Sequence, residues 1–152
     1  MKEIVVVERE YETATDPCAL HDAEAAVRGC LEQHQVVFLY AFLAEDRRHF
    51  ACVYEAPDVE AMRTTQRVAG MRVTRAWRAD VTGDAAGLAT GRRVVVALHD
   101  EPTPAGAGAA PLLHLLARDG TRRLTAYDAP VDAVRAALPT AAVWTAEVKQ
   151  AR

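Results

Sequence analysis

The stretch VVFLYAFLAEDRRHFACVYEAP, residues 36–57, decides the fold prediction for this chain. Its two apolar segments, residues 36–43 and 49–54, flank the charged run at residues 45–48. This pattern is typical of a β-hairpin whose strands are covered on both faces. Pro57 then marks the start of a helix. The stretch therefore predicts two paired strands followed by a helix.

The regions on either side of the hairpin carry equally clear signals. The β-branched run from Ile4 to Val7 predicts a strand, and Asp16 followed by Pro17 is typical of a helix start. Gly70 is a natural helix stop. The predicted elements are, in chain order, a strand over 3–11, a helix over 17–33, the hairpin, a helix ending near Gly70 and a strand over 71–81. This is the βαββαβ order of the ferredoxin-like fold.

The second part of the chain repeats the first in degenerate form. The matched segments keep their order: 43–46 with 116–119, 54–57 with 127–130, 59–63 with 131–135, and 77–81 with 144–148. We therefore expect an α+β protein of two tandem ferredoxin-like repeats, packed sheet to sheet as a pseudo-dimeric α/β barrel. The predicted units are repeat 1 over 1–81, a linker over 82–92 and repeat 2 over 93–152. Repeat 2 is expected to lack its first helix, because residues 101–111 are rich in Pro, Gly and Ala.

Composition narrows the class of protein. The chain has 152 residues, a net charge of -3 and 51% hydrophobic residues, and without a basic surplus a nucleic-acid partner is disfavoured. No apolar run reaches the roughly 18 residues that span a bilayer. Glu3 and Glu8 interrupt any signal-peptide core, so no membrane partner and a cytoplasmic location are expected. The three cysteines lack CxxC spacing and are expected to be free thiols.

Residues 4–81 carry a family resemblance. The run Cys52-Val53-Tyr54-Glu55-Ala56-Pro57, with Arg63 after it, resembles an actinobacterial family of small ferredoxin-like proteins, formerly a domain of unknown function, which includes a nickel-binding protein. The resemblance implies that metal-associated members often carry a histidine on the second strand, where this chain has Tyr40. Nickel prefers nitrogen and thiolate donors. We therefore expect no cofactor and consider nickel disfavoured, although Cys52 and Glu55 remain.

Strand alternation predicts where the candidate site lies. Cys52 and Tyr54 share one face of their strand, which we expect to meet Tyr40 and Trp77 in the space between the sheets. Such a space is either an aromatic organic-ligand pocket or plain core. The predicted substrate-binding residues are Phe38, Cys52, Arg75, Trp77, His99 and Trp144.

Four residues are candidates for acid–base catalysis: Glu8, Tyr40, Tyr54 and His114. A desolvated Glu8 would serve as general base, although a solvated strand end explains it equally. Arg75 either holds an anionic oxygen or pairs with Glu8 or Glu10. His99 and His114 either enter the cavity as acid or base or are structural.

The sequence lacks a phosphate-binding glycine loop, a GxSxG elbow and paired-cysteine metal motifs. One hypothesis is a barrel that binds a small apolar organic molecule, as a cofactor-independent cyclase, isomerase or dehydratase of specialised metabolism. A second is a nickel-binding or other transition-metal-binding protein without catalysis. A third is a non-catalytic partner protein in which side chains of the two sheets completely fill the space between them. The expected oligomeric state is a monomer or homodimer.

Overall fold

A computed structural model describes residues 2–100 and 111–151 of the chain, leaving aside the side chain of Ala86. The strands are β1 (Glu3–Glu10), β2 (Val37–Ala44), β3 (His49–Ala56), β4 (Arg75–Gly83), β5 (Arg93–His99), β6 (Pro111–Ala117), β7 (Arg123–Tyr127) and β8 (Ala142–Gln150). The helices are α1 (Pro17–Ala26), α2 (Arg28–Gln33), α3 (Val59–Val68) and α4 (Val131–Ala137). The predicted hairpin at residues 36–57 is confirmed as β2 and β3.

The eight strands close into one antiparallel barrel in the order β1-β3-β2-β8-β5-β7-β6-β4. The predicted fold of two ferredoxin-like repeats packed sheet to sheet as an α/β barrel is therefore wrong. Both seams between the chain halves are hydrogen-bonded ladders, with Phe42 opposite Val148 in one and Val81 opposite Leu115 in the other. Pairing at both seams leaves no open sheet edge, whereas face-to-face packing would leave four. The internal duplication and the division at residues 82–92 stay predictions.

Local signals account for the helix boundaries. The Asp16 side chain accepts a hydrogen bond from the Cys18 amide at the start of α1, and Asp58 accepts one from Ala61 at the start of α3. The single helix predicted over 17–33 is two, because Val27 leaves helical geometry. Of the loop predicted at residues 101–111, residues 101–110 lie outside the described residues, and Pro111 is the first residue of β6.

The described residues form three apolar clusters that stabilise the barrel. The largest fills the interior and includes Val6, Tyr40, Phe42, Ala51, Val53, Trp77, Leu113, Leu124, Trp144 and Val148. A second, with Val5, Val7, Phe50, Cys52, Tyr54 and Met62, lies on the outer wall of β1–β3. A third lies beneath α4. The wall is thus apolar on both faces wherever helices cover it.

No helix in the described part of the chain is both long and apolar enough to cross a membrane. The three cysteines, Cys18, Cys30 and Cys52, are all free thiols, as the sequence predicted.

Candidate ligand pocket beneath the first helix

Cys52 and Tyr54 face the helices on the outer wall of the barrel. Their predicted position facing the interior is wrong, because Ala51 and Val53 point inward instead. The interior of an eight-stranded barrel is just wide enough for side chains to fill. Small side chains on the inner face of β3 suit that space, and the larger pair meets the helices. Phe38 also faces outward, packed edge-to-face on Tyr54 at 5.6 Å between ring centroids.

Tyr40, Trp77 and Trp144 do lie in the interior, where they pack into one continuous apolar cluster. Burial raises the pKa of Tyr40 to about 12. Trp144 stacks on His49, and its indole Nε1 has no hydrogen-bond partner among the described residues. Tyr40, Trp77 and Trp144 are therefore filling side chains in this structure and do not line the pocket described below.

Glu8 is buried at one end of the barrel, where its carboxylate accepts hydrogen bonds from Trp77 and Arg122. The indole Nε1 of Trp77 donates to its Oε2 at 2.7 Å, and Arg122 donates to both oxygens at 3.0 and 2.5 Å. Arg122 also donates to Asp100, which accepts from Arg75 at 3.0 Å. The predicted pairing of Arg75 with Glu8 or Glu10 is therefore wrong. Both carboxylate oxygens of Glu8 therefore accept hydrogen bonds from neighbouring side chains in this arrangement.

His99 and His114 lie on the outside of the barrel, so their predicted entry into an inner cavity is wrong. His114 shares a hydrogen bond with the Thr125 hydroxyl at 3.0 Å, while its neighbours Leu113 and Leu115 point inward. Burial, helped by the charge of Arg123, lowers the pKa of His114. His99 is buried at the end of β5.

A cavity of about 50 Å³ lies between α1 and the outer wall of the barrel. We call it the α1 pocket. Its lining residues are Pro17, Leu20, His21 and Glu24 of α1, Phe38, Ala41 and Leu43 of β2, Cys52 and Tyr54 of β3, and Met71 and Lys149. The lining is mostly apolar with a few polar groups, which is typical of a site for an organic ligand. Three of the predicted residues, Phe38, Cys52 and Tyr54, come together here.

The guanidinium of Arg9 lies behind the pocket and is completely withdrawn from solvent. It donates to the carbonyl of Arg72 at 2.7 Å, to Gln66 Oε1 at 2.5 Å and to the Tyr54 hydroxyl at 3.1 Å. Its Nε has no oxygen acceptor among the described residues. The Cys52 thiol and the Glu24 carboxylate are its other neighbours. Sequence analysis missed Arg9, although the alternation Val5, Val7, Arg9 places it on the covered face of β1.

The Cys52 thiol and the Tyr54 hydroxyl of the pocket are protonated at neutral pH. Burial raises the pKa of the Cys52 thiol, against the opposing effect of Arg9. Burial raises the pKa of Tyr54 well above its ordinary value, and the nearby Cys52 adds to the effect. Both side chains are therefore hydrogen-bond donors, and Cys52 is a poor nucleophile.

Helix α1 forms a loosely packed roof over the pocket. It contains no buried residue, whereas α3, of the same length, buries Met62, Thr65 and Gln66. Its link to the pocket floor is a hydrogen bond from the Tyr54 hydroxyl to the Glu24 carboxylate. Because few apolar contacts hold it, α1 can move at low cost in free energy.

The pocket residues do not fit a nickel ion. No group of three or more His, Cys, Asp or Glu side chains within residues 2–100 and 111–151 is placed to hold a metal. Cys52 lies beside the Arg9 guanidinium, which would repel a second cation in a poorly solvated space. The thiolate that nickel prefers is also disfavoured there by burial.

Fold and pocket together define a closed antiparallel barrel with a small cavity on its outer wall. Residues 6–78 match the model of the family described as "Nickel responsive protein SCO4226-like". This match supports the family resemblance, and the run from Cys52 to Pro57 lies within it. A crystal structure from Fusobacterium nucleatum subsp. nucleatum, described as a "Putative monooxygenase", aligns over 99% of this chain and 93% of its own, with a TM-score of 0.40 and 12% identity. The comparison with curated proteins returned no match.

Proposed function

We propose that the protein binds a small organic molecule in the α1 pocket. The observation that carries the proposal is the solvent-free guanidinium of Arg9, whose Nε has no oxygen acceptor among the described residues, behind a cavity that presents the Tyr54 hydroxyl. A buried cation is costly unless it is paired and hydrogen-bonded. A site that keeps such a group beside an apolar cavity is suited to a ligand with one polar end and an apolar body.

The volume limits the size of the ligand. A single water molecule needs a cavity of roughly 10–15 Å³. The α1 pocket, with about 50 Å³, therefore admits a group of a few heavy atoms. Movement of α1 would admit a larger molecule. Acid–base chemistry of the cyclase, isomerase or dehydratase type would then depend on Tyr54 and Glu24, which are hydrogen-bonded at the pocket, rather than on Glu8.

The test is an NMR screen of small organic fragments against the isotope-labelled protein. Binding fragments are expected to shift resonances of Phe38, Cys52, Tyr54 and α1. Leu20→Trp fills the pocket from the roof and should abolish these shifts. Ala19→Trp places the same side chain on the exposed surface of α1 and should leave them intact. A screen in which no fragment shifts these resonances would refute the proposal.

The rival function is nickel binding, which the description of the matched family favours. Calorimetric titration with nickel chloride separates the two. We expect no tight binding to the wild type. Tight binding that is lost in Cys52→Ala would instead establish a metal site in the α1 pocket and overturn the organic-ligand proposal.

A further inference from the structure

Resting on that proposed function, we propose that the ligand is a small organic carboxylate and that Glu24 occupies its place in the free protein. Glu24 belongs to the loosely packed α1, yet its carboxylate reaches the pocket floor, where it accepts the Tyr54 hydroxyl bond. Its side chain is 16% exposed. A carboxylate from solution would therefore meet the same donors that Glu24 now occupies.

The pairing between Glu24 and Arg9 is loose. The Glu24 Oε1 lies 3.9 Å from the nearest guanidinium nitrogen, whereas a charge-assisted hydrogen bond is roughly 2.7–2.9 Å long. Within the described part of the chain, Arg9 Nε has no oxygen acceptor. A ligand carboxylate in the place of Glu24 would be free of the constraint of the α1 backbone and would accept from the Tyr54 hydroxyl, which in turn accepts from Arg9 at 3.1 Å. The planar guanidinium fork matches carboxylate geometry.

The rest of the pocket suits the same class of ligand. Lys149 places a basic side chain in the lining, which favours an anion. Leu20, Phe38 and Leu43 offer apolar surface for a short hydrocarbon body. A short-chain carboxylic acid suits both the polar groups and the apolar surface of the pocket.

The ligand carboxylate and Glu24 compete for the same hydrogen bond from Tyr54. Ligand binding is therefore coupled to the attachment of α1 to the barrel wall. A bound carboxylate releases the link from Glu24 to Tyr54, and α1 then loses that hydrogen bond to the barrel wall. Removing the charge of Glu24 removes the competitor and leaves Arg9 without its counter-ion. Both effects strengthen the binding of an external carboxylate.

The experiment compares butyrate with butyramide, which has the same shape and no charge, by NMR titration of the intact protein. The variants are Glu24→Gln and, as a matched control, Asp22→Asn, which makes the same charge change at an exposed position of α1. We expect butyrate to bind in the α1 pocket about tenfold or more tightly than butyramide, a difference of about 1.4 kcal/mol. Glu24→Gln should tighten butyrate binding by about tenfold, and Asp22→Asn should leave it unchanged.

The outcomes separate this inference from the proposed function. If butyrate and butyramide bind the pocket equally, or if Glu24→Gln weakens butyrate binding, the carboxylate inference fails while the pocket stands as a ligand site. If neither these probes nor any screened fragment binds there, both fail. If Glu24→Gln does not fold, amide hydrogen exchange of the wild-type protein takes the place of that variant. We then expect butyrate, but not butyramide, to accelerate exchange in α1. Equal exchange rates with the two compounds would overturn the inference.

Discussion

Tyr40 and Tyr54 lie on opposite faces of the same barrel wall, and both are buried. One inserted residue produces this arrangement. Phe38 is opposite Tyr54 and Tyr40 is opposite Val53, so Leu39 is an extra residue in β2 and forms a β-bulge. A bulge reverses which face a strand residue occupies. It sends Phe38 to the pocket and Tyr40 to the interior.

Tyr40→Phe should reduce the loss of stability at alkaline pH. The pKa of Tyr40 is raised by burial to about 12 in the folded protein against about 10 in the unfolded chain. Its contribution to stability is therefore complete below about pH 10 and is lost as the pH rises through about 12. By about pH 11 the wild type should lose about 1 kcal/mol more than Tyr40→Phe. Urea unfolding at about pH 9 and about pH 11 measures the difference, and equal losses in the two proteins would contradict the assignment.

At the scale of elements, the seam between β4 and β6 depends on a close backbone approach. Gly83 has a φ of +108°, and a Cβ there would lie 2.6 Å from the carbonyl oxygen of Leu112. The end of β4 therefore requires glycine both for its conformation and for the space beside β6.

Gly83→Ala should destabilise the protein by about 1–3 kcal/mol. Gly29→Ala is the matched control, because Gly29 lies in α2 with open space around its Cβ position. The same substitution there should stabilise the protein slightly, by at most about 1 kcal/mol. Thermal unfolding of both variants checks the contrast. A neutral Gly83→Ala would show that the seam tolerates a shift of Leu112.

The two outer helices of equal length, α1 and α3, should differ in mobility. Because α1 buries no residue and α3 buries three, amides of α1 should exchange with solvent much faster than those of α3. Hydrogen exchange followed by mass spectrometry measures both helices in one experiment. Equal protection would mean that α1 is a fixed wall of the pocket rather than a movable roof.

At the scale of the molecule, Glu8 and Arg122 join the two halves of the chain. Glu8 lies on β1 and Arg122 immediately precedes β7, 114 positions away. Arg122 also contacts Asp100 at the end of β5. The interaction therefore links three strands at one end of the barrel.

Arg122→Ala should cost about 2–3 kcal/mol of unfolding free energy, because the buried Glu8 keeps only its bond to Trp77. The comparison variant is Arg63→Ala, which removes an exposed ion pair with Glu60 and should cost less than about 1 kcal/mol. Urea unfolding at neutral pH measures both. Similar small losses would mean that Glu8 finds a replacement donor when Arg122 is absent.

Three residues of the candidate site, Phe38, Cys52 and Tyr54, were predictable, because they occupy covered positions in the two strands of the hairpin. Their face was not predictable. Alternation specifies which residues share a face, but the width of the interior decides which face points inward. Arg9 and Glu24 were missed, since they are 15 positions apart on a strand and a helix and meet only in the folded chain.

The sequence by itself determined the hairpin at residues 36–57 and the helix starts near Asp16 and Pro57, because alternation and helix-start signals act over a few residues. Tertiary structure alone decided that the strands close into one barrel. Closure depends on strand edges that meet across more than 100 residues, as Phe42 and Val148 do. Tertiary structure also decided where the α1 pocket lies. The charged groups of the pocket come from segments that are separate in the sequence, and no local pattern indicates that these segments meet.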